Sequence, residues 1–206
     1  MLADSARGFL DKSAPVKAFR DLRDAGQTHD AKMWKEMAAM GWAGVLVPES
    51  AGGVDMGHAA AGILAQEMGK TLAVSPFLST AVIAATALRH VSDARAEAAL
   101  AKIASGDATY ALAVDETSKF NPDATAMTAT AEGNGFRLTG KKTFVVDGAL
   151  ADRLLVLAKT DNGLTLFDIP ADRAGITRNA QNMIDARDSA RIDFDNVEAT
   201  GDDVLG

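Results

Sequence analysis

The hydrophobic period of the chain changes once, near Gly106. Before this point apolar residues recur every three or four positions, as they do over residues 33–40, and this spacing predicts amphipathic helices. Beyond it, short apolar runs alternate with polar residues, as over residues 191–195, and this spacing predicts half-buried strands. Because helices followed by strands are typical of an α+β chain, we predict an N-terminal all-helical domain over residues 1–108 and an antiparallel β-barrel or sandwich domain over residues 109–206.

Capping and turn residues mark the ends of these elements. We expect five or six helices in the first half, with caps at Asp30, Ser75 and Ser92 and ends at Gly41, Gly69 and Gly106. Residues 41–57 are too apolar for a free linker and too rich in glycine for a helix, so we predict an ordered loop there. In the second half, turns are predicted at Gly133-Asn134-Gly135, Asp147-Gly148 and Asp161-Asn162-Gly163.

Composition excludes several classes of function. The 28 acidic and 21 basic residues give a net charge of -7, and the basic residues are not segregated, so nucleic acid is not an expected partner. The pair Lys141-Lys142 is predicted to be a solvated strand edge. The chain has no cysteine, which excludes disulfides, thiolate nucleophiles and sulfur-ligated metals. No run approaches the ~20 apolar residues of a membrane span, and we expect a cytoplasmic protein.

Polar side chains alone do not define a catalytic site. His29, His58 and His90 lack the spacing of a metal site on one helix, so no metal is expected, and each is predicted at a helix end. Glu49 and Glu116 are expected to be partly buried, which would raise the pKa of each carboxyl and suit it to proton transfer. A capped or salt-bridged structural role for either glutamate stays open.

Five strings resemble the acyl-CoA dehydrogenases in order and separation. They are GWAGVLVPESAGG, AQEMGKTLAVSP, KIASGDATYALAVDE, GNGFRLTGKKTFVVDGALAD and DARDSARIDFDNVEATGDDVLG, and together they reach across nearly the whole chain. The resemblance implies a flavoenzyme with a helical domain, a middle β-barrel domain and a C-terminal four-helix domain. This chain matches the first two, so we expect a portion of a longer chain that is inactive alone.

The resemblance also implies a reaction. In the family a glutamate base of the C-terminal domain removes the α-proton of an acyl-CoA thioester while a hydride leaves the β-carbon for N5 of FAD. No residue of this chain is therefore expected to be catalytic in that role. An electron-transfer flavoprotein or a similar acceptor, a homo- or hetero-oligomer and a place in fatty acid or lipid metabolism follow from the same resemblance.

Six residues are the cofactor-binding candidates that the resemblance implies. Leu112, Val114 and Asp115 match the family's first flavin strand, and Phe144, Val145 and Val146 match a second. Phe144 would give an aromatic surface near the flavin ring, although an ordinary place in the β-core stays open for it. The substrate-binding candidates are Glu116, Thr117 and Ser118.

Two departures from the family pattern leave a second hypothesis open. The sequence reads Asp115-Glu116-Thr117-Ser118-Lys119 where the family has Thr-Glu-Pro followed by a Gly-Ser-Asp loop, and Val146 stands where a hydroxyl commonly bonds the flavin. Both departures would weaken flavin retention or alter its geometry. The chain is thus predicted to be a dehydrogenase, with a bulky acyl-CoA as one explanation of the departures, or a non-catalytic partner subunit of a heteromeric dehydrogenase with a degenerate flavin site.

Overall fold

The computed structural model describes residues 1–185 and 187–205. The chain forms two compact units, Met1–His90 with Glu97–Asp107 and Val91–Ala96 with Ala108–Gly206. We call them the helical unit and the sheet unit. The order of helices before strands confirms the α+β fold class. Among the described residues, no helix has both the length and the apolar character that crossing a membrane requires.

Six α-helices precede the strands in the described part of the chain, and their bounds are α1 Leu2–Ser13, α2 Val16–Asp24, α3 Ala31–Ala39, α4 Gly57–Thr71, α5 Ala85–Leu88 and α6 Ala94–Ala104. A π-helical stretch, Phe77–Ala84, leads directly into α5. The carboxylate of Asp30 caps α3, because it accepts the N–H groups of Lys32 at 2.8 Å and Met33 at 3.2 Å.

Three predicted helix ends are shifted. Helix α4 continues through Gly69 to Thr71, and Leu72, with a left-handed φ of 56°, ends it instead. At the start of α6 the carboxylate of Asp93 accepts the Arg95 N–H at 2.7 Å, one residue beyond the Ser92 predicted as the cap. The π-helical stretch begins after Pro76, which makes no side-chain cap, so the cap predicted at Ser75 is wrong as well.

The predicted ordered loop between α3 and α4 is a buried part of the helical unit. Val45, Leu46 and Val47 are inaccessible to solvent, and backbone bonds such as Met56 N–H to Val45 O at 2.9 Å fold the segment back on itself. A 3₁₀ turn over Glu49–Ala51 lies at the surface of this loop. Glu49 is therefore exposed, and its predicted burial is wrong.

The sheet unit contains eight described strands, β1 Tyr110–Ala113, β2 Thr128–Glu132, β3 Gly135–Val146, β4 Arg153–Thr160, β5 Gly163–Pro170, β6 Ile176–Ala180, β7 Ser189–Thr200 and β8 Val204–Leu205. Their order in the sheet is β6-β7-β3-β2-β4-β5-β8, with β1 added on β4. The core on this sheet includes Leu138, Val156, Phe167, Ile192 and Phe194.

The predicted antiparallel barrel needs two corrections. The sheet is mixed, because β1 pairs with β4 in parallel and β2 meets β4 in parallel at Thr128 and Lys159. It is also not closed, since the terminal strands β6 and β8 each pair with one neighbour among the described strands. The turns at Gly133-Asn134-Gly135 and Asp161-Asn162-Gly163 do form the predicted β2–β3 and β4–β5 hairpins. Strands β3 and β4 flank the turn at Asp147-Gly148 without pairing, because β2 lies between them.

Candidate functional site

Strand β3 carries a bulge that changes which side chains face the core. Its register with β7 shifts between Lys142 and Val145, and Phe144 inside the bulge has a φ of 53°. Lys142 and Val145 are both buried, whereas the Phe144 residue is 46% exposed. The left-handed region is uncommon for a bulky residue, and it marks a place where the surrounding structure dictates the backbone. Phe144 is thus displayed to solvent and is not an ordinary core residue.

The two adjacent lysines of β3 have opposite environments. Lys141 is exposed and its ammonium lies 2.8 Å from a carboxylate oxygen of Asp193, as expected for a solvated edge. The side chain of Lys142 has 0% exposure, and its ammonium donates to Val114 O at 3.0 Å and to Glu116 Oε1 at 2.7 Å. Burial lowers the pKa of Lys142, and the carboxylate of Glu116 works against that shift. The solvated edge predicted for this lysine is wrong.

Glu116 connects three parts of the sheet unit. Its carboxylate accepts the N–H groups of Ala126 at 2.8 Å and Met127 at 3.0 Å in addition to the Lys142 ammonium. Burial by itself would raise the pKa of Glu116, but the ammonium and the two backbone donors outweigh it and hold the pKa below its usual value. The predicted partial burial is confirmed, whereas the predicted rise in pKa is wrong, and the salt-bridged alternative describes Glu116.

The segment that follows β1 is tied to the bulge by its backbone as well. The N–H of Thr143 donates to Asp115 O at 2.7 Å, next to the bond from Lys142 to Val114 O. These contacts bring Val114 and Asp115 beside residues 142–143, so candidate cofactor residues from both predicted flavin strands share one neighbourhood.

Each remaining candidate can be placed individually. Leu112 lies in β1 with its side chain partly exposed, between the buried Ala111 and Ala113. The side chain of Val145 belongs to the core and its backbone pairs with Ala190 of β7, and Val146 is partly buried at the end of β3. Thr117 and Ser118 lie in an exposed turn, in which the Thr117 hydroxyl donates to Lys119 O at 3.2 Å.

One buried polar atom bears on whether this neighbourhood fits a flavin. Asp115 Oδ1 is shielded from solvent and has no hydrogen-bond partner within the described residues. A buried acceptor of this kind lacks a donor, and a rotation of the Asp115 side chain toward the surface would let it accept an N–H from the polar edge of an isoalloxazine ring. Together with the exposed ring of Phe144 and the apolar side chains of Leu112 and Val114, the residues fit an aromatic ligand with a polar edge. The missing hydroxyl at Val146 and the absence of the family's Gly-Ser-Asp loop after Glu116 are the two departures.

Metal ligands were not expected, and within the two described ranges no group of three or more His, Asp or Glu side chains is placed to hold an ion. His58 lies in the first turn of α4 and His90 follows α5 by two residues, both exposed.

Comparison with known proteins decides the family. The model described as acyl-CoA dehydrogenase, N-terminal domain, matches residues 1–107, and the model of the middle domain matches residues 111–197. The chain belongs to the acyl-CoA dehydrogenase family. The polypeptide spans about half the length of the curated relatives it matches.

Three similar proteins place it within the acyl-CoA dehydrogenases. Acyl-CoA dehydrogenase FadE27 of Mycobacterium tuberculosis is 32% identical over 78% of this chain and 42% of its own length. A variant of the Tcur3481-Tcur3483 steroid ACAD is 29% identical, with a TM-score of 0.86, over 100% of this chain and 56% of that one. The ChsE4-ChsE5 complex from M. tuberculosis is 26% identical, with a TM-score of 0.88, over the same shares of the two chains.

Proposed function

We propose that this chain forms the flavin-facing part of an FAD-dependent acyl-CoA dehydrogenase. The enzyme would introduce an α,β double bond into an acyl-CoA thioester and pass electrons to an electron-transfer flavoprotein or a similar acceptor. The observation that carries the proposal is Phe144, an aromatic residue that is half exposed and has a left-handed backbone in the β3 bulge, next in sequence to Thr143, whose N–H donates to Asp115 O. The family supplies the class of reaction, and these residues supply a fitting surface.

The residues of this chain bind and orient in that proposal. Phe144 covers one part of the ring, Leu112 and Val114 exclude water from its edge, and Asp115 Oδ1 accepts an N–H. The backbone of Val145 and Val146 borders the proposed position of the flavin ring. FAD, when bound, supplies the acceptor for the hydride that leaves the β-carbon of the substrate. Thr117 and Ser118, exposed on the turn after Glu116, are the proposed thioester-side contacts.

A second function has an observation in its favour. Val146 offers no hydroxyl to the ring, and of the similar structures one is named as the ChsE4-ChsE5 complex and another carries the double name Tcur3481-Tcur3483. The alternative is a partner subunit that forms one wall of a heteromeric dehydrogenase without holding FAD by itself. In both functions the substrate is an acyl-CoA and the chain is part of an oligomer.

Flavin content distinguishes the two functions. We expect the purified protein to bind added FAD and to acquire the absorbance near ~450 nm of an oxidised flavin after gel filtration. A colourless protein that binds FAD only when a second acyl-CoA dehydrogenase chain is co-expressed would support the partner-subunit alternative. Failure to retain FAD under both conditions would contradict both functions.

A further inference from the structure

The bulge that displays Phe144 lies directly beside the buried polar cluster of Lys142 and Glu116. We infer that this ion pair is a positioning element for Phe144: it fixes the segment after β1 against the bulged part of β3 and so holds the aromatic ring where a flavin is expected. The inference rests on the proposed function, because the ring is given a role only if FAD binds here.

Three bonds join the two segments within a few residues of Phe144. The Lys142 ammonium donates to Val114 O at 3.0 Å and to Glu116 Oε1 at 2.7 Å, and the Thr143 N–H donates to Asp115 O at 2.7 Å. Each of residues 114–116 is thus held by residue 142 or 143. The backbone at Phe144, next in sequence, is left-handed where this contact ends.

The same pair closes the base of an exposed loop. Glu116 accepts the N–H groups of Ala126 and Met127, and Met127 O accepts the Lys159 N–H at 2.8 Å from β4. The ends of the intervening loop, residues 117–125, are thereby fixed at one point of the sheet. The exposed turn at Thr117 and Ser118 therefore depends on the pair that also supports Phe144.

An apolar pair could not replace these contacts. Two aliphatic side chains of similar volume would fill the space, but Val114 O and the N–H groups of Ala126 and Met127 would lose their partners. Removing one ion alone would leave the other largely buried without its hydrogen-bonded counter-ion. Since the ammonium side chain has no exposure to solvent, water cannot take over from a lost partner without rearrangement of the segment.

The test compares Lys142→Met with Lys141→Met, the adjacent exposed lysine. We expect Lys142→Met to weaken FAD binding about tenfold, equivalent to ~1.4 kcal/mol, and Lys141→Met to leave the dissociation constant unchanged. Hydrogen exchange measured without FAD should be faster in Lys142→Met at the amides of Thr143, Ala126 and Met127. If Lys142→Met does not fold, Glu116→Gln keeps the volume, removes the counter-charge and replaces one of the two accepting oxygens by an NH2 group, and the same results are expected of it.

A double-mutant cycle with Phe144→Ala distinguishes positioning from general stabilisation. If the pair acts through Phe144, adding Lys142→Met to Phe144→Ala should produce no further loss of FAD affinity. Additive losses, or a folded Lys142→Met protein with wild-type affinity, would overturn the inference while leaving the proposed function intact. If the wild-type protein itself does not bind FAD, the proposed function fails and the inference fails with it.

Discussion

Phe144 combines two features that do not favour folding. A non-glycine residue in the left-handed region costs about 1–3 kcal/mol, and a phenylalanine that stays 46% exposed recovers only part of the free energy of burying an aromatic side chain. Asp115 adds a shielded carboxylate oxygen without a hydrogen-bond partner among the described residues. Such features are common where a structure is preorganised for a ligand, and we propose that FAD is the ligand of Phe144 and Asp115.

Two phenylalanines of β3 should separate binding from stability. Phe136 packs edge-on against Phe167 with ring centroids 5.4 Å apart, whereas Phe144 projects outward. We expect Phe136→Ala to lower the free energy of unfolding by about 3 kcal/mol with FAD affinity unchanged in the folded fraction. Phe144→Ala should lower FAD affinity and destabilise the protein less. Urea unfolding and FAD titration measure the two effects, and equal losses of affinity would remove Phe144 from the site.

Substitution of Asp115 should change two quantities in opposite directions, the stability of the flavin-free protein and its affinity for FAD. Asp115→Ala removes an unsatisfied buried oxygen but also a negative charge that stabilises the Lys142 ammonium, so the protein without flavin should gain less than the about 1–3 kcal/mol that an unsatisfied buried group costs. The same substitution removes the proposed acceptor for the flavin N–H and should weaken FAD binding. Thermal melts with and without FAD show both effects, and a variant that is stabilised in both conditions would argue against a flavin contact at this position.

At the scale of the strand, the sequence could not decide which of the adjacent residues Lys141 and Lys142 faces the core. The two lysines are neighbours of the same residue type, and alternation along β3 sends one outward and one inward. Which face is inward depends on register, and the bulge at residues 143–144 resets the register before Val145. Turn residues, by contrast, act locally, and the hairpins at Gly133-Asn134-Gly135 and Asp161-Asn162-Gly163 were predictable for that reason.

The two lysines therefore predict very different stability effects. Lys142→Met leaves the Glu116 carboxylate without its ammonium partner, and we expect a loss of about 3–5 kcal/mol in the free energy of unfolding. Lys141→Met removes an exposed ion pair with Asp193 and should change stability by less than about 0.5 kcal/mol. Chemical denaturation of the two variants side by side provides the measurement. Similar losses would mean that Lys142 is not buried as described.

Two glycines of the helical unit give a second matched pair. A Cβ on Gly53 would lie 2.0 Å from Val47 O, so Gly53→Ala must displace the buried backbone of the loop and should be strongly destabilising. Gly62 is exposed within α4 with no atom within 4 Å of an added Cβ. Gly62→Ala should therefore raise the free energy of unfolding by about 0.5–1 kcal/mol. A harmless Gly53→Ala, measured by thermal melting, would contradict the close approach.

For the whole molecule, the sequence predicted which parts are helical and which are strands better than it predicted how the strands pair in the sheet. The change of period near Gly106 coincides with the change from helices to strands, because periodicity reflects which face of each element is buried. Sheet closure depends on pairings between distant segments, such as the parallel register of Tyr110 with Arg153, and no local pattern encodes those. The flavin candidates came from family resemblance, whereas the contacts that support them, Lys142 with Glu116, became evident only from the folded structure.

Acid should destabilise both units through carboxylates whose pKa is lowered. Hydrogen bonds from Lys70 and Arg7 hold the pKa of Glu67 below its usual value in the helical unit. In the sheet unit, burial favours protonation of Asp203, but the Arg173 guanidinium, 2.6 Å away, and the Thr200 amide outweigh burial and lower its pKa. A group with a lowered folded-state pKa stabilises the protein above its unfolded-state pKa, and that stability is lost as the pH falls through the folded-state value.

The chain supplies a separate optical probe for each unit. Its two tryptophans, Trp34 and Trp42, are buried in the helical unit, and its single tyrosine, Tyr110, is buried in the sheet unit. We expect the free energy of unfolding to fall from about pH 5 to pH 2 by both tryptophan fluorescence and the tyrosine signal in near-UV circular dichroism. Glu67→Gln should flatten the pH dependence of the tryptophan signal, and Asp203→Asn that of the tyrosine signal. Wild-type pH dependence in either variant would show that its carboxylate does not carry the acid sensitivity of that unit.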